Sequence, residues 1–249
     1  EFGMTAGFVV QVLAFAVSAL FALIRLPDAI RGRNRSMFAC LVLMAVSTGL
    51  SLSVFYEFID SLLGGVNVAN LVLRISLYAV FTILGFKGAA AFGAPRARSA
   101  VAGPVGLAVL GATVLLTIYF FAVSELPYTS TGLYAFDDQE SVHIYAHLGR
   151  LYPAYVAACI SLPALAASWN RRYRPAHRTG SGLFGAGLAV VVVFAVLTLF
   201  GKLGAFMLIL PFSAVILVVL GLTVMWISHR LSTRRPKANL LRERYGNVS

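Results

Sequence analysis

Residues 66–86 read VNVANLVLRISLYAVFTILGF, and Arg74 sits well inside this apolar run. On a helix it lies roughly 12 Å from the start of the run. An arginine at that depth costs several kcal/mol on a lone helix unless it faces a bundle interior, a water-filled pocket or a counter-ion. Two readings follow. Arg74 either snorkels to an interface or holds a structural ion pair, or it belongs to a ligand or ion site. The nearest acids in sequence are Glu57 and Asp60. Paired with one of them, Arg74 is neutralised in effect; unpaired, it attracts an anion. Asn70, Tyr145 and Lys202 fall at the same side of their apolar runs, so the candidate ligand-binding set is Arg74, Glu57, Asp60, Asn70, Tyr145 and Lys202.

A second constellation is Glu140, His143 and His147. The spacing i, i+3, i+7 puts all three on one helical face. Carboxylate and imidazole ligands suit zinc, although interfacial side chains with no metal fit the same spacing. Tyr119, Tyr128, Tyr134, Tyr145, Tyr152 and Tyr155 suggest an interfacial aromatic belt.

Other chemistries lack their residues. The chain has no HExxH, no GxSxG and no Walker A motif. No acidic pair lies where the basic loops would hold a magnesium–diphosphate. The last apolar run contains no lysine for a retinal Schiff base, and the four histidines all fall at or beyond the ends of apolar runs, which leaves no intramembrane pair for haem. No cofactor is expected, and the balance leans away from an enzyme.

The elements that position these residues follow from hydropathy. The chain has 249 residues, 59% hydrophobic and 12% charged, with a mean hydropathy of +0.86. Soluble domains are about a quarter charged, so most of this chain needs no water-facing surface. The expected fold is all-α: a polytopic membrane protein with a seven-transmembrane-helix bundle. The spans fall at about 7–24, 37–56, 66–86, 101–123, 150–169, 183–200 and 203–226. Gly103, Gly106, Gly111, Gly185 and Gly187 would permit close helix approach. Pro104, Pro163 and Pro211 lie inside spans, and Pro163 and Pro211 could kink the fifth and seventh helices. Cys40 and Cys159 lie in apolar runs and read as small buried hydrophobes.

The loops alternate in charge. Of the 20 Lys and Arg, all but Arg74, Arg150 and Lys202 fall on alternate loops and the C-terminal tail. Lys and Arg stay on the cytoplasmic side, so the N-terminus is expected outside and the C-terminus inside. Seven spans also require opposite ends. Residues 1–3 precede Met4 and read as a cloning scar. Residues 4–229 form the transmembrane domain, with an extracellular loop at 124–149, and 230–249 form a basic cytoplasmic tail. The second half of that loop reads as an early start of the fifth helix, capped by Asp137 or Asp138. Its first half is either a cap over the outer mouth of the bundle or a floppy loop. The net charge of +11 points to anionic lipid at the cytoplasmic face and not to nucleic acid, since the basic residues sit between apolar runs.

Three passages carry a resemblance. They are RLPDAIRGRNRSMFACLVLMAVSTGLSLS, EFIDSLLGGVNVANLVLRISLYAVF with Asp60, Gly65, Asn70 and Leu71, and FGKLGAF at Gly201-Lys202. Together they resemble an uncharacterised family of actinobacterial seven-helix membrane proteins, commonly labelled transporters. The resemblance implies a multi-pass protein of the bacterial cytoplasmic membrane. Members often continue into a cytosolic segment, which in this chain, ending at Ser249, is short or cut off.

Function is expected in one of three classes. A sensor would bind a ligand in an outward polar pocket and relay the change to a cytosolic protein partner through the basic tail. A transporter would need polar residues through the bilayer, and Ser47, Thr48, Ser51 and Ser53 are the nearest to such a path. A lipid-modifying enzyme would use Glu57, Asp60 or the histidines as acid–base groups.

Overall fold

The computed structural model describes residues 2–201 and 203–233. Among these the chain is all helical. Nine α-helices follow one another: α1 (Phe2–Ile30), α2 (Arg35–Gly49), α3 (Ser53–Leu62), α4 (Val68–Ala91), α5 (Pro95–Ala102), α6 (Pro104–Val123), α7 (Glu140–Trp169), α8 (Pro175–Phe200) and α9 (Phe206–Thr233). A 3₁₀ turn, Thr131–Phe136, lies between α6 and α7. Six passages are long and apolar enough to cross a bilayer: α1, α4, α5 with α6, α7, α8 and α9. Their outward faces are apolar. On α6 the buried residues are Gly106, Thr113 and Thr117, while Val105, Leu107 and Leu115 are exposed. A helix with its small and polar residues inside and its leucines outside is built for a lipid solvent. The protein is a multi-pass helical membrane protein.

The expected second span, 37–56, is broken. Helix α2 ends at Gly49, and α3 leaves it at 97°. The 15 residues of α2 rise only about 22 Å, short of a bilayer core of about 30 Å. Gly49 closes α2 with no proline after it, and side chains take over the free backbone groups. Thr48 Oγ1 donates to the carbonyl of Met44, Ser51 Oγ to that of Thr48, and Gln11 Nε2 from α1 to Ser51 Oγ at 2.9 Å. These hydroxyls therefore finish a helix end. Helix α3 is amphipathic in a second way: Val54, Phe55, Phe58 and Leu62 are exposed on one face, with Tyr56 and Asp60 buried on the other.

Proline and glycine punctuate the remaining joints. Pro95, Pro104 and Pro175 open α5, α6 and α8 at their first turns, where a missing N–H costs nothing. At the α5–α6 elbow a Cβ on Gly106 would run into the carbonyls of Ala100 and Val101, so only glycine fits there. Helices α1, α2, α4, α7, α8 and α9 pack as a closed ring in that order, and α6 leans on α7 and α4 from outside. The shared core is filled by Leu41 and Met44 of α2, Phe81 and Leu84 of α4, Val156 and Ile160 of α7, Phe184 of α8 and Val218 of α9. Helices α8 and α9 meet almost backbone to backbone. A Cβ on Gly221 would lie 2.5 Å from the Phe184 nitrogen and 2.7 Å from the Gly180 oxygen. The expected close approach is realised at Gly187 in the same seam and at Gly185 against Leu165 of α7, whereas Gly111 faces open space.

At the end of the ring that carries the α1–α2 and α7–α8 loops, α1 is clasped to α9. Arg25, only 4% exposed, donates from Nη2 to the Leu222 carbonyl and lies over the Trp226 ring. Arg230 covers the same ring and forms an ion pair with Asp28.

The opposite end is covered. The 124–139 segment folds down so that Leu126, Leu133 and Phe136 bury against Val142 and Tyr145 of α7. It is a packed cap and not a loose loop. Helix α7 starts at Glu140, early as expected. Its N-cap is Gln139 and not Asp137 or Asp138, and the Gln139 side chain instead pairs twice with the Glu125 backbone, at 2.9 and 3.0 Å.

Candidate functional site

Of the predicted ligand-binding residues, Asp60, Asn70, Arg74 and Tyr145 lie beneath this cap, and they divide into two groups with different work. Asp60 is structural. It is fully buried, and its carboxylate accepts three hydrogen bonds: from the backbone N–H groups of Asn67 and Ala69, both at 3.0 Å, and from Thr129 Oγ1 at 2.7 Å. It thus caps α4 from the end of α3, with its negative charge at the positive helix terminus. Asn67 completes the knot in a left-handed conformation, φ 63°. Its Oδ1 accepts from Tyr56 Oη and the Ser130 N–H, and its Nδ2 donates to the Tyr128 carbonyl. Glu57 points away, exposed on α3. Neither acid is the counter-ion of Arg74 that sequence proximity suggested. Asp60 is fully engaged by α4 and the cap, and Glu57 is on the wrong face of its helix. Lys202 and the tail beyond residue 233 lie outside the described residues.

Arg74, Asn70 and Tyr145 do come together. Tyr145, 1% exposed, donates its hydroxyl to Asn70 Oδ1 at 3.0 Å. The Arg74 guanidinium lies over the Tyr145 ring, 4.9 Å from its centroid, and Nη1 donates to the Ala146 carbonyl at 3.4 Å. The guanidinium occupies the space that a side chain at position 149 would need: a Cβ on Gly149 would collide with Nη1 and the guanidinium carbon. Arg74 Nε is buried with no hydrogen-bond partner among the described residues. No carboxylate among them lies within ion-pair distance of Arg74 either. Arg150, one residue beyond Gly149, lies within electrostatic reach of Arg74 and stacks over Phe194 of α8 at 5.7 Å.

Below Arg74 a polar stripe runs inward. Asn70, Arg74, Tyr78 and Thr82 recur every four residues and so share one face of α4. Tyr78 shares a hydrogen bond of 2.8 Å with Thr117 of α6, and Thr82 one of 2.9 Å with Tyr152 of α7. The Tyr78 and Tyr152 rings meet edge to face at 5.9 Å. Tyr145 and Tyr152 are therefore interior residues and not members of an aromatic belt, whereas Tyr119, Tyr128 and Tyr134 are exposed. The stripe stops at Thr82. Beyond it come Leu84, Gly85 and Gly88, packed on Val156, Ile160 and Phe184.

Sequence reasoning missed Tyr78, Thr82, Thr117, Tyr152 and Gly149. The four-residue recurrence along α4 was the available signal for the first two.

The structure does not gather Glu140, His143 and His147 into a metal site. Among the described residues no group of three His, Cys, Asp or Glu side chains is placed to hold an ion. Glu140 and His147 are seven residues apart, about 10 Å along the axis, too far to share one ion. His143 lies instead 3.8 Å from Asp137. At the far end of the ring an open apolar groove of about 530 Å³ lies between α5 and α7, lined by Pro95, Ala97, Cys159 and Pro163 among others. None of the predicted site residues lines it.

No protein-family model, curated protein or solved structure matches the chain, so the family resemblance rests on its three passages alone.

Proposed function

We propose that this protein is a seven-pass sensor of the bacterial cytoplasmic membrane, in which the Arg74 site faces outward under the acidic cap and binds a ligand. On this reading α2 with α3 makes the seventh passage, α2 crossing most of the bilayer and α3 lying along its outer surface. The alternation of basic and acidic loops then puts the N-terminus outside and the basic C-terminal tail in the cytosol, where a partner protein would read the bound state. The observation that carries the reading is Arg74 itself. It is a cation in an apolar passage, with no carboxylate beside it among the described residues, a stranded Nε, and space kept open for it by a glycine.

Transport of a small molecule or ion is the second reading, and the polar stripe from Asn70 to Thr82 favours it. Against it, the stripe ends in packed Leu84, Ile160 and Phe184, as a blind site would.

Thermal unfolding of the purified protein in detergent, against a library of lipids, small anions, metals and neutral metabolites, tests the proposal. A ligand above its dissociation constant raises the midpoint. The expected result is at least one compound that stabilises the native chain and loses its effect in Arg74→Ala. A variant that is merely less stable, with no compound acting on either form, would make Arg74 a structural residue and end the sensor reading.

A further inference from the structure

At the capped end of the ring the Arg74 guanidinium of α4 lies against Gly149 of α7, and Arg150 is the next residue of α7; no described carboxylate forms an ion pair with either arginine. Each is only partly exposed. Each rests on an aromatic ring, Arg74 on Tyr145 and Arg150 on Phe194, and such rings stabilise a cation without neutralising it. His147, one turn before Arg150, adds no negative charge. Like charges brought together in a poorly solvated place repel, and an arrangement of this kind is relieved by an anion between them.

The chemistry of the donors narrows the anion. Guanidinium groups present planar forks of N–H donors that match the paired oxygens of an oxyanion. Arg74 has spent Nη1 on the Ala146 carbonyl, and its Nε is unused. A second arginine asks for more than one negative charge or for oxygens on more than one side. A tetrahedral phosphate group meets both demands.

Building on the outward-site reading above, we propose that Arg74 and Arg150 together bind a phosphate-type oxyanion, Arg74 from α4 and Arg150 from α7. Such a group could be free phosphate or the head group of an anionic lipid, and the recognition chemistry is the same for both.

The experiment has two arms on the full chain. In the first, inorganic phosphate is titrated against chloride at constant ionic strength on protein in a neutral detergent, with the thermal midpoint as readout. In the second, the protein is placed in nanodiscs of phosphatidylcholine with or without phosphatidylglycerol. Native protein, Arg74→Gln and Arg150→Gln are compared in both. The expected result is a midpoint rise in at least one arm for the native chain, with apparent affinity weakened at least about tenfold in either variant. A rise with free phosphate assigns a soluble ligand, and a rise only with phosphatidylglycerol assigns a lipid. Anionic lipid held by the basic loops would act equally on all three proteins. Should Arg74→Gln fail to fold, Arg150→Gln carries the comparison, since no hydrogen bond within the described residues depends on its side chain. No rise in either arm, or an equal rise in native and variant proteins, overturns the proposal. If a non-phosphate compound from the wider library still acts through Arg74 in that case, the ligand site stands and only its oxyanion chemistry falls.

Discussion

Replacing Asp60 by alanine removes a carboxylate that three donors point at. Two of them, the N–H groups of Asn67 and Ala69, are backbone groups held at the start of α4 and cannot turn elsewhere. The third, the Thr129 hydroxyl, can rotate away. A buried donor left without a partner costs roughly 1–3 kcal/mol, so the two backbone groups alone amount to about 2–6 kcal/mol. Loss of the anion at the helix terminus adds about 0.5–1 kcal/mol. For a chain of this size each kcal/mol moves a thermal midpoint by about 2–4 °C, and the expected drop is on the order of 10 °C. The damage should also be local before it is global. Thr129 and the Asn67 contacts to Tyr128 and Ser130 tie the cap to the α3–α4 turn, so the cap should loosen first. Limited proteolysis reads this directly. Asp60→Ala should be cut within 124–139 under conditions where the native chain is intact, and Asp60→Asn should fall between the two, because its amide oxygen still accepts at one carboxylate position while its N–H₂ faces a donor at the other. A midpoint within about 1 °C of native, with an unchanged cleavage pattern, would refute the assignment of Asp60 as the capping group.

Two further outcomes follow from the packing. Gly221→Ala places a methyl against the Phe184 nitrogen and the Gly180 carbonyl, backbone atoms that cannot yield, and should cost about 2 kcal/mol or more by prising α8 from α9; Gly111→Ala, in open space, should leave the midpoint unchanged. Phe58→Trp on the exposed face of α3 should be quenched by lipids brominated near the head group more strongly than by lipids brominated near the bilayer centre, and the reverse order would show that α3 does not lie along the surface.

The long apolar passages were legible because a bilayer demands about 20 apolar residues and the basic loops punctuate them. The start of α7 ahead of its apolar stretch was legible too, because the turn-rich, acidic first half of the loop gives way at Ser141 to a passage that runs on into that helix. The break between α2 and α3 was not, because a single Gly49 within an apolar run more often signals close packing, and Leu50, Ser51 and Leu52 have no breaking character of their own. The bend is made by tertiary partners such as Gln11, forty residues away. The same reason separates the two acids from Arg74. Asp60 and Arg74 are near in sequence, but the carboxylate is claimed by backbone donors of the α3–α4 turn, which hydropathy does not reveal. Asn70 with Tyr145 was legible as two polar residues at one end of neighbouring runs. The placing of Arg74 over Gly149 was not, since a glycine in an apolar helix usually signals helix packing and here it makes room for a guanidinium.

The central claim, an anion-attracting site open to the outside at Arg74, is tested most directly by thiol accessibility. Arg74→Cys is made in a chain whose own two cysteines, Cys40 and Cys159, are replaced by alanine, and right-side-out membrane vesicles are treated with membrane-impermeant thiosulfonate reagents of opposite charge. The account predicts modification from the outside, several-fold faster with the anionic reagent than with the cationic one, and a loss of that preference when Arg150→Gln is added. Modification only after the vesicles are opened, or a faster reaction with the cationic reagent, would contradict it.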